Sequence, residues 1–264
     1  MAELLEFAVS KAARSVGALD LAQLSRPIDI APAAAPLAGT AALAPSGAGQ
    51  SKVAPAGSAV FGTVAIPFKH LAAIKKLEPA LAEIDAGNAI ACDGCGEGAT
   101  AIKASFTATA QSSIRDKLNA VNVAVNHSIR YARDIDVYHV ADHWATPSET
   151  LAHREGDCED FAILKMAALR ADGVAEEDMA IVVLFDQKRH FYHAILSVAV
   201  SGHYYILDNM RDDVLPDTRL PDYLPLYSIS GTRGYLHGSR VQGAAVAANT
   251  VPLEKVAPGE GSLN

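Results

Sequence analysis

The sequence has no run approaching the roughly 18 to 20 unbroken apolar residues that a bilayer-spanning helix needs, so no membrane span is expected in its 264 residues. Cysteine is scarce: there are three, at Cys92, Cys95 and Cys158, too few for a disulfide framework. Basic excess is missing as well, because 30 acidic residues outnumber 22 basic ones for a net charge of −8. The acids are scattered, a balance that argues against a phosphate-backbone partner and so against nucleic acid. The first residues, MAELLEFAVSKAARS, set Glu3 and Glu6 where an export signal carries lysine or arginine, and no apolar stretch follows; no cleavable signal is expected. No second CxxC accompanies Cys92 and Cys95, which leaves that pair as loop thiols or a disulfide more readily than as zinc ligands.

What is present is apolar bulk. Half the residues are hydrophobic, enough for one domain of ordinary size with a proper core. Residues 31–58 are almost wholly Ala, Pro, Gly and Ser, with little side-chain area to bury and many helix breakers, and read as a disordered linker. Ahead of it, Leu5, Val9, Val16 and Leu19 could line a short amphipathic helix that docks on a partner. The division expected is therefore 1–58 as linker with that helix, 61–240 as the folded body, and 241–264 as an Ala, Gly and Pro-rich tail.

Within the body, Ile114, Leu118, Val121, Val125 and Ile129 recur every three or four residues, the period of a helix, with Ser112 or Ser113 as its cap. A second helix should begin at Cys158, with Asp157 at the N-cap, Asp160 three residues on, and Gly173 to stop it. Three runs rich in Val, Ile and Tyr follow, Ala180 to Phe185, Tyr192 to Val200 and Tyr204 to Leu207, and these read as strands. Helices first and an antiparallel sheet afterwards make the class α+β.

The chemistry-bearing constellation is Cys158, His193 and Asp208. A thiol attacks a carbonyl as thiolate, and a helix N-terminus supplies about half a positive charge to favour it. If Ser201 and Gly202 alone form the loop between the last two strands, opposed positions sum to 403. Asp208 then falls opposite Ile195, and His193 and Asp208 share a face on neighbouring strands. A three-residue loop would break that parity. In this geometry His193 takes the thiol proton, Asp208 orients the imidazole, and the Cys158 backbone N–H serves the oxyanion. Trp144 and Asn126 are weaker oxyanion candidates. Singly, each residue has an ordinary structural reading: a buried cysteine, a strand histidine, a turn aspartate. A metal site built from His190, His193, His203 and Asp208 lacks a spacing that would bring three ligands onto one face.

Four segments raise these residues together: Asp142-His143-Trp144-Ala145-Thr146-Pro147-Ser148-Glu149, Gly156-Asp157-Cys158-Glu159-Asp160-Phe161-Ala162, His193-Ala194-Ile195-Leu196, and Leu207-Asp208-Asn209. In order and identity they resemble the bacterial transglutaminase-like cysteine peptidases, within the transglutaminase and papain-like superfamily. The resemblance runs from about Phe61 to Arg240. It implies a papain-like core and a Cys158, His193, Asp208 triad that hydrolyses peptide bonds through a thioester. It also implies a calcium-dependent, periplasmic enzyme that clips large surface adhesins near paired alanines, and a membrane-bound cyclic di-GMP receptor as partner. Calcium is independently attractive, because Asp157, Glu159 and Asp160 crowd the thiol with charge that opposes its ionisation, and a hard cation with oxygen ligands would offset them. Asn209 is a further ligand candidate. The same triad would also serve a transglutaminase or deamidase acting on glutamine, and the fold could serve as a non-catalytic binding module.

Overall fold

The computed structural model describes residues 60–91, 96–241, 244–247, 252–253 and 256–259. The expected linker, its amphipathic helix and the Cys92/Cys95 pair lie outside these residues. In chain order the elements are β1 (Val64–Pro67), α1 (Ala72–Asp85), α2 (Gly96–Thr109), α3 (Ile114–Ser128), β2 (Arg130–Tyr131), α4 (Asp134–Val137), α5 (Pro147–His153), β3 (Glu155–Gly156), α6 (Cys158–Ala171), β4 (Met179–Asp186), β5 (Phe191–Val200), β6 (His203–Leu207), β7 (Leu215–Pro216), β8 (Tyr223–Ser230), β9 (Arg233–Val241) and β10 (Ala244–Ala247). The class is α+β, as expected.

Local chemistry accounts for the helix boundaries that matter to the site. Ser113 caps α3, exchanging hydrogen bonds with Asp116. The Thr146-Pro147-Ser148-Glu149 stretch is a helix start: the Thr146 hydroxyl accepts from the Glu149 N–H, Glu149 accepts from the Thr146 N–H, and Pro147 occupies the first helical position, where no N–H is needed. Helix α6 begins at Cys158 and stops at Ala171, two residues before Gly173, whose φ of 90° suits glycine. There the N–H of Gly173 reaches the Arg170 carbonyl and that of Val174 reaches Leu169, closing the orphaned carbonyls.

The main sheet runs β1-β9-β8-β4-β5-β6-β7, with β10 added on β9, and every pairing in it is antiparallel. Both faces of its centre are covered. Ile181, Val183, Ala194, Leu196 and Val198 join the core shared with α6, α3 and α1, while Val182, Leu184, Ile195 and Ile206 pack beneath Val60, Leu220 and Tyr223. This explains why β4 is apolar without alternation. Helix α6 is likewise enclosed all round, buried from Cys158 to Leu169. Glu159, Asp160 and Lys165 are fully buried along with the leucines.

The β5–β6 hairpin turns on Ser201 and Gly202, both with positive φ (51° and 82°), the backbone that a two-residue turn between twisted strands requires. Its register, Leu196↔Leu207 through Val200↔His203, obeys the expected sum. At the other boundary the fold goes further than the sequence suggested. Beyond position 240, β10 pairs with β9 and Val256 is buried in the core, so part of the expected tail belongs to the folded body.

Candidate active site

Cys158 is the first residue of α6, buried at 2% exposure. Its sulfur is fixed from two directions: the Ala194 N–H donates to Sγ at 3.2 Å, and the thiol donates to Glu159 Oε2 at 3.2 Å. The first contact ties the sulfur to the residue following His193. Cys158 and His193 line one cleft of about 330 Å³ with Tyr131, Phe191, Asn209 and Met210. A larger cavity of about 960 Å³, among Lys117, Asp172, Gly173, Ser201 and Tyr204, lies at the other end of α6, away from Cys158.

His193 and Asp208 meet as the hairpin register requires. The imidazole Nε2 stands 2.9 Å from Asp208 Oδ1, and both groups are inaccessible to solvent. His193 Nδ1 is buried without a hydrogen-bond partner. Asp208 is held on every side: Oδ1 also accepts from the Met210 N–H (2.9 Å), and Oδ2 accepts from the Tyr223 hydroxyl (2.6 Å) and Arg211 Nε (3.2 Å). Burial alone would push its carboxyl up, but the charge of His193 and the hydrogen bonds from His193, Tyr223 and Met210 outweigh it and hold the group well below the usual carboxylate range. The loop carrying Asp208 is pinned by α3, where Asn122 donates to the carbonyls of Arg211 and Asp212, and Asn126 donates to those of Asp208 and Arg211. The Asn126 amide is thus committed to that loop and not to an oxyanion. Trp144 is a core residue beside a separate cavity with Asp142 and Lys76. Behind the site, burial pushes the Lys165 ammonium down to about 7, and the charges of Asp208 and Asp212 pull it partly back.

The acids around the thiol form a larger group than the sequence suggested. Asp157, Glu159 and Asp160 are all fully buried, none of them facing water. Asp134 and Asp142 join them: oxygens of Asp134, Asp142 and Glu159, and of Asp134, Asp157 and Asp160, come within 4.8 Å of one another. Asp157 occupies the N-cap position with its carboxylate beside Glu159, and Asp160 closes the capping box by accepting from the Asp157 N–H at 3.3 Å. Asp160 also accepts from the Ala145 N–H at 2.9 Å, and Asp134 accepts from the His143 N–H. Asn209 lines the cleft, its Oδ1 buried without a partner.

This crowding has a clear electrostatic direction. Burial, then the neighbouring carboxylates, pushes Asp157 up to about 9 and raises Glu159 and Asp160 well above the usual range. The Cys158 thiol is also pushed up, first by burial and then by the charges of Glu159 and Asp157, with only the Ala194 N–H acting the other way. Asp134 and Asp142 escaped sequence reading because nothing local marks them. The parallel pairing of β2 with β3 brings Asp134 beside the head of α6, while Asp142 sat in the quoted motif without an assigned role. Tyr131 and Tyr223 also went unseen, since each comes from an element distant in sequence.

Comparison with known proteins places the chain in a family. A family model described as bacterial transglutaminase-like cysteine proteinase matches residues 91–224. The UPF0252 protein of Archaeoglobus fulgidus is 32% identical over 124 residues, which is 46% of this chain; the match spans about a third of that relative, 35% of its length. Among solved structures, Legionella pneumophila LapG is 26% identical, with 60% of this chain and 87% of LapG covered at a TM-score of 0.49. Its calcium-bound form is 24% identical, with 66% and 94% covered at the same score.

Proposed function

Because the chain belongs to the bacterial transglutaminase-like cysteine proteinases, we propose that it hydrolyses peptide bonds of a protein substrate with Cys158 as nucleophile, His193 as base and Asp208 as the group that orients His193. The observation that carries this reading is the Nε2 contact to Asp208 at 2.9 Å, which leaves the buried Nδ1 as the nitrogen available to the thiol. His193 takes the Cys158 proton as sulfur attacks the scissile carbonyl, then passes it to the leaving amine. Water, activated by the same imidazole, resolves the thioester. Asp208, already ionised and held by four donors, stabilises the imidazolium without taking its proton.

Before reaction the thiol donates a hydrogen bond to Glu159, and burial with the charges of Glu159 and Asp157 opposes its ionisation, so a group that neutralises these acids would favour the thiolate. The donors fit calcium: all are carboxylates, they converge at the head of α6, and buried oxygens of Asp142, Asp157 and Glu159 lack a hydrogen-bond partner. Asp134, Asp142, Asp157, Glu159 and Asp160 would hold the ion, which when bound would supply positive charge beside the thiol. The resemblance extends the reading to a surface adhesin as substrate, a periplasmic address and a membrane-bound cyclic di-GMP receptor. Capture of such partners on a Cys158→Ala variant tests those extensions.

Peptidase action is distinguished from amine transfer by product analysis. Incubation with a proteome-derived peptide library in ¹⁸O-labelled water should yield new peptide termini carrying ¹⁸O, and none with Cys158→Ala. Loss of ammonia from glutamine, or incorporation of an added amine without new termini, would assign the thioester to deamidation or transglutamination instead.

A further inference from the structure

Residues 256–259 lie against the site in a manner the catalytic reading leaves unused. The Gly259 N–H donates to the carbonyl of Tyr192, the residue before His193, at 3.4 Å. The Gly259 carbonyl accepts from the hydroxyl of Tyr131 at 2.8 Å, and Tyr131 is a wall of the Cys158 cleft. The α-carbon of Gly259 faces Asp157, the residue before Cys158: a β-carbon there would stand 2.7 Å from Asp157 Cγ and 3.0 Å from its Cβ. Gly259 is therefore held, through its own main-chain N–H and C=O, by Tyr192, which adjoins the base, and by Tyr131, a wall of the nucleophile's cleft.

Those contacts select glycine twice over. Asp157 is fully buried at the cap of α6, so its Cβ and Cγ cannot swing aside for an added methyl group. Gly259 also has φ of 83°, which residues with a β-carbon rarely adopt. Backbone donors and acceptors, with a neighbouring side chain that excludes bulk, can read a turn that carries glycine at its left-handed position.

We propose that the Tyr192 carbonyl, the Tyr131 hydroxyl and Asp157 form a peptide-binding subsite that admits glycine, occupied here by Gly259 as an internal mimic of a substrate segment. This rests on the peptidase reading and specifies its ligand: a protein segment with glycine beside the attacked bond's subsite. Buried Val256 anchors the mimic to the core, so an external substrate must displace residues 257–259 before it can bind.

The test is protection of Cys158 from iodoacetamide at about pH 9, where an ordinary thiol reacts without help from a base. In the full chain carrying Gly259→Ala, Cys158 should be modified at least threefold faster than in the wild type, because the internal mimic no longer fits. A synthetic peptide VAPGE should restore the slow rate in that variant, and VAPAE should need at least tenfold more peptide to do so. Tyr131→Phe, which removes one hydrogen bond and keeps the ring, should give an intermediate rate. Equal rates in wild type and Gly259→Ala, or equal protection by the two peptides, would overturn the subsite. Failure of the catalytic reading shows separately, as labelling near pH 7 that is indifferent to His193→Ala.

Discussion

Asp208→Asn should lower kcat on a cleaved peptide by about 10³- to 10⁴-fold while KM changes little, the pattern expected when an orienting carboxylate is lost and binding is spared. The carboxamide is nearly isosteric, yet it brings an NH₂ among the donors that now converge on Asp208 from His193, Met210, Arg211 and Tyr223. It can satisfy only part of that set. The imidazole then loses the negative charge that stabilises its protonated form and the acceptor that fixes Nε2 as the proton-bearing nitrogen. Asp208→Ala should add a stability cost of about 3 kcal/mol, because Arg211 and the Tyr223 hydroxyl lose their buried acceptor. Tyr223→Phe, which removes one hydrogen bond and leaves the charge, should reduce kcat by about tenfold or less. Rates measured with thermal melts separate the two effects: a variant that folds like the wild type and still turns over at a comparable rate would remove Asp208 from the mechanism.

Calcium should stabilise the protein and chelation should reverse it. Without a cation, Asp157, Glu159 and Asp160 have folded-state affinities for protons raised by burial and by one another. The folded chain then binds more protons than the unfolded chain, so stability falls as pH rises from the ordinary carboxylate range toward about 9, the value to which Asp157 is pushed. Calcium at about 100 times its Kd contributes roughly 2.7 kcal/mol, which for a domain of this size raises Tm by about 5 to 10 °C. The rise should be greater at pH 8 than at pH 5, because protonation competes with the ion. Asp134→Asn and Glu159→Gln should each weaken the calcium response while stabilising the chelated protein, since each removes a carboxylate from a group whose members repel one another. A melting curve unmoved by calcium or EGTA across that pH range would leave the acids as proton-sharing groups and take the ion out of the account.

The parts of the site that were legible in the sequence are those set by local rules. A two-residue turn at Ser201 and Gly202 determines which positions oppose one another, and through them it brings Asp208 to His193. The Asp157-Cys158 step marks a helix start because cap chemistry is local. What sequence could not show depends on pairing between distant segments. Asp134 reaches the head of α6 through the two-residue parallel contact of β2 with β3, too short to leave a pattern. Tyr223 reaches Asp208 from the start of β8, and Gly259 reaches Asp157 from beyond β10. The burial of Glu159, Asp160 and Lys165 is hidden from sequence for a different reason. Charged residues on a helix usually mark its solvent face, and here they lie in the interior, where a site has uses for them.

The most direct measurement of the thiol–imidazole partnership is the rate of Cys158 alkylation by iodoacetamide as a function of pH, with calcium present, in the wild type and in His193→Ala. The account predicts that the wild type is modified at pH 6 to 7 at least tenfold faster than the variant, whose reaction should rise only above the ~8.5 of a free thiol. Coincident profiles in the two proteins would contradict it.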